Sequence, residues 1–201
     1  MNQETQKPIV VVDIDGVLFN TPVDAVASYN KKYSSNYKVS DIFNHHAEHD
    51  KKRFVVNDED QFHAFQLNIS QYKEVEGAKR AIDRLAKKAK IIALTSRNYD
   101  KFYIVTNQII KDYFGNSISE VYFTTQPSST KHREKGEIVK ELGGNVLIDD
   151  AVKYCESAIA FGIPAILMRQ AYNISGHGFP KEYTADNWSQ AIVLVEKILN
   201  I

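Results

Sequence analysis

The run Pro8-Ile-Val-Val-Val-Asp-Ile-Asp constrains this chain more than any other segment. Its apolar residues are continuous and β-branched instead of alternating with polar ones, which is the pattern of a strand buried on both faces. A strand covered on both sides belongs inside a parallel sheet flanked by helices. In such folds ligands gather at the carboxyl ends of the strands. Two carboxylates, Asp13 and Asp15, stand where this strand ends.

The rest of the chain repeats the theme. Thr21, Pro22 and Asp24 mark a helix start, with Thr21 as N-cap, Pro22 at the first helical position and an acid in the first turn. From Gly77 onward, Ala78, Ala81, Ile82, Leu85 and Ala89 keep helical spacing, and Ile91 to Thr95 reads as a strand. Phe102, Val105, Ile109 and Tyr113 predict a second amphipathic helix, ended by Gly115. Strands follow at Val121 to Thr124, Val146 to Asp149 and Pro164 to Met168. Helices follow at Lys135 to Leu142, Ala151 to Phe161 and Trp188 to Leu199, the last capped by Asn187 or Asp186. This alternation predicts an α/β fold: a Rossmann-like parallel sheet of about five strands with helices on both faces. Between Tyr33 and Tyr72 the composition shifts to His, Lys, Asp and aromatics, with only a weak helical stretch from Gln61 to Ile69.

At 201 residues the chain fits one domain with a modest insertion, and 43% hydrophobic residues suffice for a sizeable core. Its 25 acidic and 25 basic residues cancel, so no overall field is available to hold a polynucleotide or an anionic membrane. The single cysteine, Cys155, excludes an internal disulfide framework. The polar opening MNQETQKP has no pattern of a secretory leader, and no apolar run approaches the roughly 20 residues of a spanning helix, so a cytoplasmic protein is expected.

Three groups of short polar residues follow apolar strands: Asp13 with Asp15, Thr95 with Ser96, and Asp149 with Asp150. Four carboxylates on one sheet edge would repel one another unless a cation sits among them, and Mg²⁺ is the natural candidate because every proposed ligand is a hard oxygen. Lys135 can add positive charge to the same edge, as can Lys131 four residues earlier. Read singly, each group has a plainer meaning: a calcium loop for the first, though its closing Glu is missing, and helix termini for the others. Read in order, they describe a phosphoryl-transfer site.

With Asp13-Ile-Asp15-Gly-Val as first motif, Thr95-Ser96 as second, a lysine as third and Asp149-Asp150 as fourth, the chain resembles the haloacid dehalogenase superfamily of phosphatases. The resemblance implies that Asp13 attacks phosphorus to form an aspartyl-phosphate, while Asp15 protonates the leaving oxygen and later activates water. It further implies Lys135 as the neutralising cation and a phosphate cradle of Thr95, Ser96, Lys135 and Gly16, with Thr95 favoured over Ser96. Magnesium would be held by Asp13, by Asp150, by the backbone carbonyl of Asp15 and with support from Asp149. Residues 1–19 and 77–201 would form the catalytic core. Residues 20–76 would form a small, mostly helical cap that excludes water and selects the leaving group.

The short cap, the opening and closing motifs and the Trp188-bearing end look most similar to the 5′(3′)-deoxyribonucleotidase and type C 5′-nucleotidase group. That resemblance implies a small phosphorylated metabolite, a nucleoside monophosphate, as substrate. Tyr29, Tyr33, Phe43, Phe62 and Phe65 are candidates for stacking on its base, the plainer reading being that they form the cap's own core. Arg97, where the group often has proline, would reach the substrate or pair with an acid. A sugar-phosphate or phosphoglycolate phosphatase is the alternative, and a silent binding protein of the same fold is the alternative outside enzymes. Neutral charge disfavours a polynucleotide phosphatase, and Asp15 has no task in dehalogenation. His45, His46, His49 and Asp50 have partial metal-ligand spacing but sit among charged residues, as a solvated face would. Cys155 reads as an inert buried thiol, and His177 as part of a glycine-flanked loop.

Overall fold

Six strands, all pairing in parallel, form one sheet in the order β3-β2-β1-β4-β5-β6: β1 (Ile9–Val12), β2 (Lys90–Thr95), β3 (Glu120–Phe123), β4 (Val146–Asp149), β5 (Ala165–Met168) and β6 (Thr184–Ala185). The structure is a computed structural model and describes residues 7–42, 73–173 and 178–201. The helices are α1 (Thr21–Tyr33), α2 (Val39–Ile42), α3 (Ala78–Leu85), α4 (Tyr99–Phe114), α5 (Lys135–Glu141), α6 (Val152–Ala160) and α7 (Trp188–Leu199).

The continuous apolar strands have the cause expected of them. Val10 and Val12 of β1, Ile91 and Ala93 of β2, Val146 and Ile148 of β4, and Ile166 and Met168 of β5 join one core with α3, α4 and α7. The intervening Val11, Ile92, Leu94, Leu147, Ala165 and Leu167 join a second core with Ile138 and Val139 of α5 and Cys155 and Ala158 of α6. Alternate residues point to opposite faces, and both faces are covered. Each helix contributes its apolar stripe: Ala78, Ala81, Ile82 and Leu85 are all buried on α3, as are Trp188, Ala191, Ile192 and Val195 on α7.

The strand order places the chemistry. β1 is flanked by β2 on one side and β4 on the other, so the crossover direction reverses between β1 and β4. Crevices form at such a switch point, beyond the carboxyl ends of the strands. Register aligns Val12 with Ala93 and with Ile148, which brings Asp13, Thr95 and Asp149 to the same edge. Trp188 reinforces that edge from below. Its indole N–H donates to the carbonyl of Val17 at 3.0 Å, tying α7 to the turn after β1.

Several details depart from the sequence reading. The sheet has six strands where about five are expected. The extra β6 is two residues long and pairs with β5 through Leu167–Thr184 and Met168–Ala185. Thr21 is not the N-cap of α1. It is the first helical residue, buried, and Asn20 precedes it without a side-chain cap bond. α3 stops at Leu85, so Ala89 is buried beyond its end. Asn187 caps α7 as expected, accepting from the Gln190 N–H. Asn98 does the same for α4 through Lys101, a cap that the periodicity alone did not reveal.

The chain leaves the core and returns to it through paired segments. Phe19 and Glu74 form an antiparallel bridge, the Asn20 N–H donates to the Lys73 carbonyl at 2.8 Å, and the Val75 N–H donates to the Leu18 carbonyl at 2.9 Å. Between these segments, α1 and α2 are described. The helical stretch expected from Gln61 to Ile69, the side chains Phe43, Phe62 and Phe65, and the His45–His46–His49–Asp50 cluster lie outside the described residues, as does His177.

α5 and α6 approach each other most closely at Gly136. A Cβ added there would sit 2.4 Å from the Ser157 carbonyl oxygen and 2.8 Å from the Phe161 ring, well inside contact distance. The missing side chain lets α5 lie against α6 and so seats its first residue, Lys135, against the sheet edge. Gly136→Ala is expected to destabilise the fold by about 1–3 kcal/mol, the usual cost of overpacking. Urea unfolding monitored by Trp188 fluorescence measures this, and a change under about 0.5 kcal/mol, the size of an ordinary surface substitution, would refute the close approach.

Candidate active site

Lys135 lies at the first position of α5 with only 1% of its surface exposed, and its ammonium reaches two carboxylates. It donates to Asp13 Oδ1 at 2.5 Å and to Asp149 Oδ2 at 2.7 Å, while its Nζ stands 4.4 Å from the centre of the Tyr154 ring. Burial opposes the charge, but Asp13 and Asp149 outweigh it and hold the ammonium above its ordinary range. Lys131 is exposed and its backbone N–H turns to the Ser129 hydroxyl. The geometry therefore selects Lys135 between the two lysines.

Asp13 is 6% exposed and Asp149 and Asp150 are 0% and 5% exposed. One oxygen of each lies within 4.8 Å of the others. Asp149 has both oxygens engaged, one by Lys135 and the other by the Ala151 N–H at 2.9 Å. Asp150 accepts from the Tyr172 hydroxyl. Gly16 faces this group with φ +85, and a Cβ on it would lie 2.2 Å from Asp150 Oδ2. Glycine at this position lets the Asp150 carboxylate and the Tyr172 hydroxyl lie against the turn after β1, where a Cβ would collide with both.

Asp15 faces a different partner. Arg97, 5% exposed, grips it through Nε at 2.9 Å and Nη2 at 2.7 Å, a bidentate pair, and its Nη1 donates to the Thr106 hydroxyl at 3.0 Å. Burial would raise the Asp15 carboxyl, but the guanidinium charge and hydrogen bonds more than offset it and hold the group below the usual carboxylate range. Of the two roles open to Arg97 in the sequence, pairing with an acid is the one seen, and the acid belongs to the first motif. Thr95, at the end of β2, is fully buried and its hydroxyl accepts from the Arg97 N–H at 3.1 Å. The Ser96 hydroxyl instead donates to the Tyr154 hydroxyl at 2.9 Å.

Four carboxylates thus meet two cationic side chains among the described residues, leaving two negative charges uncompensated in a mostly buried site. Burial, with Asp149 and Asp15 nearby, pushes the Asp13 carboxyl up to about 7 in spite of Lys135. Burial and the charges of Asp13 and Asp149 push Asp150 well up, against the lowering effect of Tyr172. These are the conditions under which a hard divalent cation binds oxygen donors. The all-oxygen donor set fits one.

Residues that sequence reasoning missed surround this group. Tyr154 on α6 stacks on Lys135 and accepts from Ser96, and Tyr172 holds Asp150. The Asn173 amide donates to the carbonyls of Asp150 and Met168 at 2.7 and 2.8 Å. None carries a motif, since each acts on a residue that does. Cys155 is buried with its thiol near the carbonyls of Asp149 and Ile166, and burial pushes it well up, as expected of an inert group.

Comparison with known proteins agrees with this arrangement. The family model described as 5′ nucleotidase, deoxy (Pyrimidine), cytosolic type C protein matches residues 7–199. A haloacid dehalogenase-like protein from Agrobacterium tumefaciens superimposes with a TM-score of 0.67 at 13% identity, over 96% of this chain and 99% of that one. A haloacid dehalogenase-like hydrolase from Streptococcus pneumoniae gives 0.64 at 11% identity, over 96% and 100%. A HAD-superfamily protein from Bacillus subtilis, solved bound to magnesium, gives 0.62 at 12% identity, over 98% and 100%. At these identities the likeness is one of fold. No curated protein sequence matches this chain. No described helix is long and apolar enough to cross a membrane.

The raised carboxyls set a pH dependence for the metal-free protein. Asp13 binds its proton more tightly folded, at about 7, than unfolded, near 3.8, so the folded state is favoured below the lower value and loses that advantage as pH rises toward 7. With EDTA present, Tm is expected to fall between pH 5 and pH 8 by roughly 2–4 °C or more, an order-of-magnitude figure for about 1 kcal/mol or more in a chain of this length. A divalent cation should restore more stability at pH 8 than at pH 5, because it competes with those protons. A metal-free Tm that rises over this interval would contradict the arrangement.

Proposed function

The chain belongs to the type C cytosolic 5′-nucleotidase family within the haloacid dehalogenase superfamily of phosphatases, and from that premise we propose that it is a Mg²⁺-dependent nucleoside monophosphate phosphohydrolase acting through an aspartyl-phosphate. The observation that carries this reading is the buried Asp13 carboxylate, bonded to Lys135 at 2.5 Å and gathered with Asp149 and Asp150. A carboxylate so placed has a neutralising ammonium at its side.

In the first half-reaction an Asp13 oxygen attacks phosphorus and the ester P–O bond breaks. The leaving oxygen takes its proton from Asp15. In the second, Asp15 removes a proton from a water, whose oxygen attacks the phosphorus of the aspartyl-phosphate and releases inorganic phosphate and free Asp13. Arg97 holds Asp15 in one orientation and favours its carboxylate form, which suits the second half-reaction. To deliver a proton in the first, Asp15 must loosen that bidentate contact and carry a proton taken from water, as it does at the end of each second half-reaction. Lys135 offsets the charge on Asp13 and on the phosphoryl group, and Thr95, Ser96 and the backbone at Gly16 provide the phosphate cradle. Asp13 and Asp150 would hold Mg²⁺ with Asp149 behind them, and the ion would supply positive charge to the nucleophile and phosphoryl oxygens.

Residues 20–76 are proposed as the cap and residues 1–19 with 77–201 as the core. The paired segments at Phe19–Asn20 and Lys73–Val75 support that division, since both crossings between core and insertion run side by side. Within the proposed cap, Tyr29 packs against Tyr33 at 4.7 Å and Tyr37 at 5.8 Å. These rings support one another, in keeping with the plainer reading of Tyr29 and Tyr33 as part of the cap's own packing.

A panel of ribo- and deoxynucleoside monophosphates, sugar phosphates and phosphoglycolate, assayed for phosphate release with Mg²⁺, tests the substrate class. The expected order puts nucleotides first, and a preference for phosphoglycolate or a sugar phosphate would replace the nucleotidase reading. Asp13→Asn is expected to remove measurable turnover, and turnover within tenfold of the parent would exclude covalent catalysis by this residue. Asp15→Asn should cost about 10²–10⁴-fold on a nucleotide, the range of general acid–base catalysis. Its effect should shrink for p-nitrophenyl phosphate, whose leaving group needs no proton.

A further inference from the structure

Residues 169–173, the turn after β5, belong to none of the four motifs, yet they grip two of them. The Tyr172 hydroxyl donates to Asp150 Oδ2. The Asn173 side chain donates to the Asp150 carbonyl at 2.7 Å, and its own oxygen accepts from the Gln170 N–H at 2.8 Å. The Gln170 side-chain amide reaches across to the Gly16 carbonyl at 2.6 Å. Tyr172 and Asn173 are 4% and 0% exposed, so these contacts are made away from solvent. A Cβ on Gly16 would sit 2.3 Å from the Tyr172 oxygen, so the first motif, the fourth motif and this turn share one small space.

We infer that Tyr172 is a positioning residue for the cation site: its hydroxyl fixes the rotation of the Asp150 carboxylate so that Asp150 and Asp13 can meet one divalent ion. This rests on the proposed cation-dependent reading of the same site. A carboxylate has one free torsion at its end, and a ligand held by a neighbouring donor loses less freedom when it binds an ion. Asp149 is held by two donors and Asp13 by Lys135. Asp150 has Tyr172 as the side-chain donor recorded on it. Its orientation can therefore be released by one substitution outside the four motifs, whereas the donor on Asp13 is Lys135, which also holds Asp149. Gln170 acts through the same turn, anchoring it to the loop that follows Asp13.

The test uses the full-length chain without substrate and measures Mg²⁺ affinity by titration calorimetry and by the Mg²⁺-induced rise in Tm, for the parent, Tyr172→Phe and Gln170→Ala. Tyr172→Phe is expected to weaken Mg²⁺ by about 10- to 100-fold, the usual effect of removing a partner that orients a metal ligand. In the assay, the Mg²⁺ concentration for half-maximal rate should rise by a similar factor, and excess Mg²⁺ should recover most of the lost turnover. In an Asp150→Asn background the same replacement should have no further effect on affinity, which a general packing role would not produce. Gln170→Ala should weaken Mg²⁺ in the same direction by a smaller factor. Equal or tighter binding by Tyr172→Phe overturns the inference, as does unchanged binding by Gln170→Ala if Tyr172→Phe does not fold. A parent chain that binds no Mg²⁺ overturns the cation-dependent reading and this inference together, whereas a parent that binds while Tyr172→Phe binds equally sinks the inference alone.

Discussion

The buried ion triad of Lys135 with Asp13 and Asp149 organises the rest of the structure. A lysine that is 1% exposed is stable only if its charge is met inside, and the two carboxylates at 2.5 and 2.7 Å meet it. Those carboxylates end β1 and β4, neighbours in the sheet, while the lysine begins a helix that packs below them. Satisfying one ammonium therefore requires β1–β4 pairing, the register of Val12 with Ile148, and the close approach of α5 to α6 at Gly136. The fold and the site are stabilised by the same contact. Removing Lys135 would leave both carboxylates without their ammonium, and removing either carboxylate would leave the ammonium one partner instead of two.

The triad alone leaves the site negative. Arg97 compensates Asp15, and the remaining excess falls on Asp13 and Asp150, which hold protons more tightly than ordinary carboxyls do. This division separates two tasks that one carboxylate could not perform together. At rest Asp15 is ionised under the bidentate grip of Arg97, in a form able to accept a proton. Asp13 and Asp150 are driven toward any cation that can replace their protons. Tyr172 and Asn173, from the turn after β5, both bond to Asp150 of the fourth motif.

The insertion after β1 is tied to the core at both of its ends. The chain crosses between core and insertion through paired backbone segments at Phe19 and Glu74, and α1 begins directly after the first of them. Phe19 itself is locked beneath the site by edge contacts with Tyr113 and Phe114 of α4, at 5.0 and 5.7 Å. The ring cluster of Tyr29, Tyr33 and Tyr37 gives the start of that insertion packing of its own.

Much of this was legible in one dimension. The unbroken apolar strands, the helix stripes of α3 and α7, the Asn187 cap and the order of the four motifs are local signals, because burial on two faces and helical periodicity act over a few residues. They determined the parallel α/β class and placed Asp13, Asp15, Thr95, Asp149 and Asp150 at strand ends. The two-residue β6 carried no periodicity to read, and Thr21 looked like a cap because its residue type fits one. The tertiary structure alone decided between Lys135 and Lys131, turned Arg97 onto Asp15 and brought Tyr172 to Asp150. Those partners stand 122, 82 and 22 residues apart in sequence for the Lys135–Asp13, Arg97–Asp15 and Tyr172–Asp150 contacts. Pairing over such separations depends on strand order and register, which no local pattern of side chains encodes, because the same short motif can be presented to many neighbours until the sheet has closed around it.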